Sequence, residues 1–242
     1  MELVITCLAG LSVLIGAAVI YLPGNKSRIE HLSIAVAMGA LLSLLFFDLL
    51  PELYEASRNT GWIAPVLTGL TGIVSIRILD RFVPEHQDTV HNHDTGNAVH
   101  IGIMSSLAVI IHNVVEGMTV YSLSCSDLRQ GMIFAGGIAL HNIPMGMLIC
   151  STIKGRSLRL KLGVFAAVSL STMAGGVIMF LMSGYIPDSV TRALVAFATG
   201  MIIYLVFLEL LPHILRTENR LLSLAGALSG FFLVLISLMI GG

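Results

Sequence analysis

Charge is the first thing this chain lacks. Only 11% of its 242 residues are Asp, Glu, Lys or Arg, against about a quarter in an ordinary soluble domain. The 13 basic and 14 acidic side chains leave a formal net charge of −1, so no basic field exists to hold nucleic acid by its phosphates. Cysteine is scarce as well. Cys7, Cys125 and Cys150 stand far apart with no CxxC pair, which excludes a disulfide framework and a thiolate metal site and leaves them as packing residues. Neither a Walker A loop nor an HExxH occurs, so ATP hydrolysis and intramembrane zinc proteolysis are not expected, and no other enzyme is.

Apolar residues fill the space. They make up 56% of the chain, with a mean hydropathy of +0.92. A helix crossing hydrocarbon needs about 20 mostly apolar residues, and eight such runs follow one another: Leu3 to Leu22, Leu32 to Leu50, Gly61 to Leu79, Val99 to Leu123, Gly131 to Ile153, Leu160 to Tyr185, Val190 to Leu211 and Leu221 to Ile240. They are continuously apolar rather than alternating, which suits helices that satisfy their own backbone in lipid and not barrel strands. The expected fold is an all-α integral membrane protein of eight transmembrane helices, one transmembrane domain over residues 1–242. The first run has no basic n-region and outlasts a signal peptide, so it is expected to remain as a span.

Basic residues set the expected orientation. Lys26, Arg28, Arg77, Arg81, Lys154, Arg156, Arg159, Lys161, Arg216 and Arg220 fall at one set of alternate connections or helix ends, and only Arg58, Arg129 and Arg192 at the other. The positive-inside rule then puts both termini outside the cytoplasm of a plasma membrane, or of the inner membrane in a bacterium. The longest connector, about residues 81–100, becomes cytoplasmic and carries His86, His91, His93 and His100. Such a tract either binds metal loosely or is a soluble linker.

Two internal echoes imply a pseudo-twofold inverted repeat. HNVVEGM, His112 to Met118, recurs in the fifth run as HNIPMGM, His141 to Met147; DLLPE, Asp48 to Glu52, recurs in the seventh as ELLPH, Glu209 to His213. Each pair lies on helices of opposite sense, as in transporters built about an axis in the membrane plane.

His112 and His141 lie near the middle of their runs, hence near the bilayer midplane. Glu116 follows His112 by four residues and shares its helix face. An ionised carboxylate at that depth costs several kcal/mol (~3) unless it meets a partner or a watered cavity. With Asn113, Asn142 and Met145 this makes a facing set of N, O and S donors suited to Zn²⁺, Fe²⁺ and their neighbours. Asn113 and Asn142 taken singly are ordinary interhelix hydrogen-bonding residues, and Gly117 and Gly146 ordinary close-packing ones. Pro144 either kinks its helix or frees the Leu140 carbonyl for a polar path. Asp48 and Glu52 at the outer end of the second run, and Glu209 and His213 at the inner end of the seventh, read equally as the entrance and exit of a cation pathway or as solvated caps.

With HNxxEG in the fourth helix, HNxPxG in the fifth and a His-containing third connector, the sequence resembles the ZIP (Zrt/Irt-like) divalent metal-ion transporters over nearly its whole length. The resemblance implies inward transport, homodimers, elevator-like movement of one bundle against another, and a binuclear centre between the fourth and fifth helices. His112, Glu116 and His141 match its primary-site positions, Asn113 and Asn142 its second-site positions, and Met38 a methionine that approaches the metal in some members. Two departures stand out: Met145 replaces a carboxylate that bridges the two metals, and Thr172 with Met173 stand where related bacterial sequences carry Glu-Pro. The metal is then substrate and no resident cofactor is expected. Its partners are the ion, Zn²⁺ first with Fe²⁺, Mn²⁺ or Cd²⁺ as alternatives, the lipid bilayer and a second copy. The rival functions are a haem-binding redox protein with His112 and His141 as axial ligands, and a metal sensor that binds without carrying.

Overall fold

The computed structural model describes residues 1–21, 26–82, 93–153, 155–182, 187–216 and 219–241, which are helical with short connections and contain no strand. Helices α1 (Glu2–Leu11) and α2 (Val13–Val19) form the first span. The second joins α3 (Lys26–Leu44), a π-helical turn Leu45–Leu49 and α4 (Leu50–Thr60). Then come α5 (Ile63–Phe82), α6 (His93–Ser126), α7 (Leu128–Thr152) and α8 (Leu158–Leu181) as spans three to six. The seventh joins α9 (Asp188–Tyr204), a second π-helical turn Leu205–Leu210 and α10 (Leu211–Leu215), and α11 (Arg220–Gly241) is the eighth. Among the described residues, seven are long and apolar enough to cross a membrane, and α5 contributes the shorter apolar stretch Ile63–Ile78.

Helices outrun their apolar stretches where polar residues continue them. The second span reaches from Lys26 to Thr60, well past Leu32 to Leu50, and ends at Gly61, whose φ of 83° reverses the chain into α5. The fourth starts at His93, so His93 and His100 belong to the helix and not to the connector, whereas His86 and His91 lie outside the described residues. At 34 residues α6 is about 51 Å long, well beyond the ~30 Å of hydrocarbon, so part of it needs no apolar residues. Side-chain caps start the next two helices: Asp127 accepts from the Arg129 and Gln130 amides, and Ser157 from that of Leu160.

Both π turns sit immediately before a Leu-Pro pair. In regular α-register Pro51 would press on the Phe47 carbonyl and Pro212 on that of Leu208, with no N–H to offer either. The wide turns relieve this: the Leu50 amide reaches back five residues to Leu45, and the Leu211 amide to Val206. The DLLPE and ELLPH echo is thus also an echo of backbone.

Close glycine contacts carry the same symmetry through the molecule. A Cβ on Gly146 would strike the Val13 carbonyl, and one on Gly16 that of Ile143, locking span one to span five. Gly117 and Gly175 do the same against Thr172 and Val114, locking span four to span six. Gly39 and Gly230 meet Ala227 and Val36 between spans two and eight; Gly200 and Gly72 meet Gly69 and Phe197 between spans seven and three. Exchanging spans one with six, two with seven, three with eight and four with five maps every one of these contacts onto another. Spacings agree: Gly39 to Pro51 and Gly200 to Pro212 are both 12 residues.

Packing divides the spans. One, four, five and six form a bundle through α2 on α7, α6 on α7, and α1 and α6 on α8. Two and eight form a pair, three and seven another, and the two pairs meet where each π turn touches the partner span. The bundle lies against this frame, more extensively on the second and eighth spans, through α7, than on the third and seventh, through α6. The seam is filled by buried apolar side chains, among them Leu41, Leu44, Val109, Met145, Ile202 and Leu205.

Candidate metal centre

Helical spacing brings His112 and Glu116 to one face of α6, and α7 sets His141 opposite. Oε1 of Glu116 lies 3.0 Å from Nε2 of His112 and 2.8 Å from Nε2 of His141, and the imidazole centroids are 6.0 Å apart. All three residues are buried, at 5%, 7% and 4% exposure. Close as they are, neither ring nitrogen is aligned with the carboxylate for a hydrogen bond, and Oε2 of Glu116 and Nδ1 of His141 have no partner. Buried polar atoms left unpaired cost free energy, and a charge left so costs far more. A cation at their centre removes that cost. The donor atoms lie within 4.8 Å of one another; tetrahedral Zn²⁺ with bonds of about 2.0–2.2 Å sets its ligands about 3.3 Å apart, so Oε1 of Glu116, at 3.0 and 2.8 Å from the two nitrogens, has to draw back a few tenths of an ångström to share an ion with them.

The two asparagines are turned by the same symmetric device. Asn113 donates Nδ2 to the Val168 carbonyl of α8 at 3.3 Å, and Asn142 to the Ala9 carbonyl of α1 at 3.2 Å. Each keeps a buried Oδ1 without a partner. Asn142 and Met145 line, with both imidazoles, a gap of about 10 Å³ walled by Ala40, Leu41, Leu44, Val109 and Ile202, at the limit of what holds one water. Met38 is buried in the core and forms no part of the wall of this gap or of the larger cavity beyond it. Thr172 is fully buried with Oγ1 unpaired, its carbonyl packed on Gly117 beside Glu116.

Beyond the gap, on the side of Glu116, a cavity of about 390 Å³ reaches His112 and Glu116 past Asp48, Glu52 and Glu55. Asp48 and Glu52 therefore belong to one vestibule. Glu55 and Thr119, which the sequence did not single out, share its wall; the signal for Glu55 was its spacing of seven from Asp48 and three from Glu52. Across the axis Glu209 and His213 are half-buried, with the His213 ring stacked 6.5 Å from that of His31. The four residues form two separate pairs, Asp48 with Glu52 in the vestibule and Glu209 with His213 outside it beside His31.

Residues 84–238 match the family model described as ZIP zinc transporter, well over half of the chain. The chain belongs to the ZIP zinc transporter family. It is 28% identical to the zinc transporter ZupT of Chlorobium phaeovibrioides, over 98% of this chain and 97% of the relative. It is 27% identical to the ZupT of Enterobacter sp., over 98% and 96%, and 28% identical to that of Salmonella newport, over the same shares. This ZIP protein is thus a multi-pass membrane transporter of divalent metal, not an enzyme, and metal is its cargo. Haem between His112 and His141 is set aside, since Oε1 of Glu116 stands within 3.0 Å of both nitrogens where a porphyrin plane would have to pass.

Proposed function

We propose that the protein carries Zn²⁺ into the cytoplasm through one site per protomer, made by His112, Glu116 and His141 and completed by Met145 and water. The observation that carries this is the buried convergence of two imidazole nitrogens and one carboxylate oxygen at the seam between bundle and frame. The vestibule of Asp48, Glu52 and Glu55 collects cations by its negative charge and delivers them to Glu116. Glu209 and His213, with any ion held by His86, His91, His93 and His100, receive them on the other side. Both termini lie outside the cytoplasm, residues 1–242 act as one transmembrane unit, and two copies pair in the membrane.

Release requires the bundle to slide along the frame until the site opens past Glu209 instead of Asp48. Two features support this elevator-like step. Among the described residues, the glycine contacts that bring backbone against backbone all lie within the bundle or within one pair of the frame, so each of these pieces moves as a solid body. The seam between them is made of side chains, and the pseudo-twofold axis makes the two end positions near equivalents.

One metal is expected rather than two because Met145 cannot screen dication from dication. At about 4 Å that repulsion is four times the unit-charge value, on the order of 4 kcal/mol even in water. Asn113 and Asn142 then serve the helix contacts, and become ligands only if a carboxylate returns. The thioether also turns the site slightly toward softer ions such as Cd²⁺ and away from Mn²⁺. Uptake of Zn²⁺, Fe²⁺, Mn²⁺ and Cd²⁺ into proteoliposomes, side by side, tests the proposal: Zn²⁺ should lead and Mn²⁺ trail, and the absence of flux for all four would leave only the sensing alternative.

A further inference from the structure

Hydroxyls in these helices mostly bond backward along their own chain. Ser33 donates to Ile29, Ser106 to Gly102 and, in α11 itself, Ser229 to Gly226. Ser237, also on α11 and fully buried, departs from that habit. Its Oγ donates across the seam to the Gly137 carbonyl of α7 at 2.6 Å. In an α-helix that carbonyl also receives the amide four residues on, which here belongs to His141. Ser237 therefore ties the frame to the turn that carries one of the metal ligands. The long-range bonds of Asn113, Asn142 and Arg77, by contrast, stay within the bundle or within one pair of the frame.

The axis shows what this bond means. The register that exchanges Gly72 with Gly230 and Gly69 with Ala227 carries Ser237 to Leu79, and the one that exchanges His112 with His141 carries Gly137 to Ala108. Leucine has no hydroxyl, so the bond has no counterpart across the axis. It also lies on the side where the bundle packs more extensively against the frame, in the arrangement that opens the site to Asp48 and Glu52.

We infer that Ser237 is a one-sided latch: it holds the turn of His141 against the eighth span while the site faces the acidic vestibule, and must let go when the bundle slides. The latch rests on the alternation proposed above. A buried neutral hydrogen bond is worth ~1 kcal/mol net, about fivefold in an equilibrium, so the two access states are biased by roughly that factor.

The test uses the full chain in proteoliposomes, with Cys7, Cys125 and Cys150 replaced by alanine, and two single reporters. Thr119→Cys sits in the wall of the acidic vestibule; Leu148→Cys occupies its counterpart across the axis. A membrane-impermeant maleimide is applied from each face, and the ratio of the two labelling rates reads the balance of states. Ser237→Ala should lower the ratio of vestibule to opposite-face labelling about fivefold. Ser237→Thr keeps the hydroxyl and should hold the ratio, while the isosteric Ser237→Val should match the alanine variant. Equal ratios for the Thr and Val variants, with each reporter labelling from its own face, would overturn the latch and leave alternation standing. If the Leu148→Cys reporter is never labelled from its face in any variant, alternation fails and the latch with it.

Discussion

Glu116 is the one carboxylate among the three residues of the centre, so the 2+ charge of a passing ion is offset there mainly by this side chain. Replacing it as Glu116→Gln keeps its shape and removes its charge; Zn²⁺ uptake into proteoliposomes should fall by at least an order of magnitude while the protein still inserts. His112→Ala and His141→Ala each remove one nitrogen and should reduce uptake severalfold, Asn113→Ala less. Near-normal flux in the glutamine variant would put the ion on another route. At position 145 the change runs the other way. Met145→Glu should raise bound metal from one toward two per protomer, with Asn113 and Asn142 supplying oxygens to the new position, and should favour harder ions; metal analysis of the purified protein decides it. The convergence of His112, Glu116 and His141 was legible because ionisable side chains in the middle of long apolar runs are rare enough to stand out. That Asp48 and Glu209 stand at opposite ends followed from the opposed senses of their helices; that Glu55 and Thr119 share the vestibule of Asp48 did not, because only the packing of the helices brings them to one wall.

Elements follow a different logic, in which backbone clearance matters more than donors. Gly117→Val would drive a methyl into the Thr172 carbonyl and Gly146→Val into that of Val13, whereas a Cβ on Gly136 meets nothing. Overpacking of this kind costs ~1–3 kcal/mol, or more against unyielding backbone. The first two variants should lose most of their folded yield or thermal stability in detergent, with Gly136→Val close to the parent. In the third connector and the start of α6, changing His86, His91, His93 and His100 together to Ser should leave transport intact and alter its metal-concentration dependence only modestly; complete loss in folded protein would place the tract on the obligatory path. Hydropathy found the eight runs, since burial in lipid is a matter of composition. It could not find the π turns: Leu45–Leu49 and Leu205–Leu210 are as apolar as their neighbours, and only the Leu-Pro pairs that follow hint at a change of hydrogen-bond register.

For the molecule as a whole, the inverted repeat was visible in two short echoes, but the division into a bundle and a frame was not, because it depends on which glycine meets which carbonyl across space. The same symmetry bears on how the chain chooses its sides when it is made. Turned over, the fold offers the lipid almost the same apolar surface, since each span is replaced by its counterpart. Hydrophobic insertion then favours neither orientation, and the choice falls to the ten basic residues on one face against three on the other. Levelling that excess, by neutralising Lys154, Arg156, Arg159 and Lys161 and adding one Lys beside each of Arg58 and Arg129, should yield mixed orientations, the inverted fraction read out by a compartment-sensitive reporter fused to the C-terminus. In those molecules the acidic vestibule would face the cytoplasm, and the inward path proposed above would become, by its loops alone, a route out of the cell.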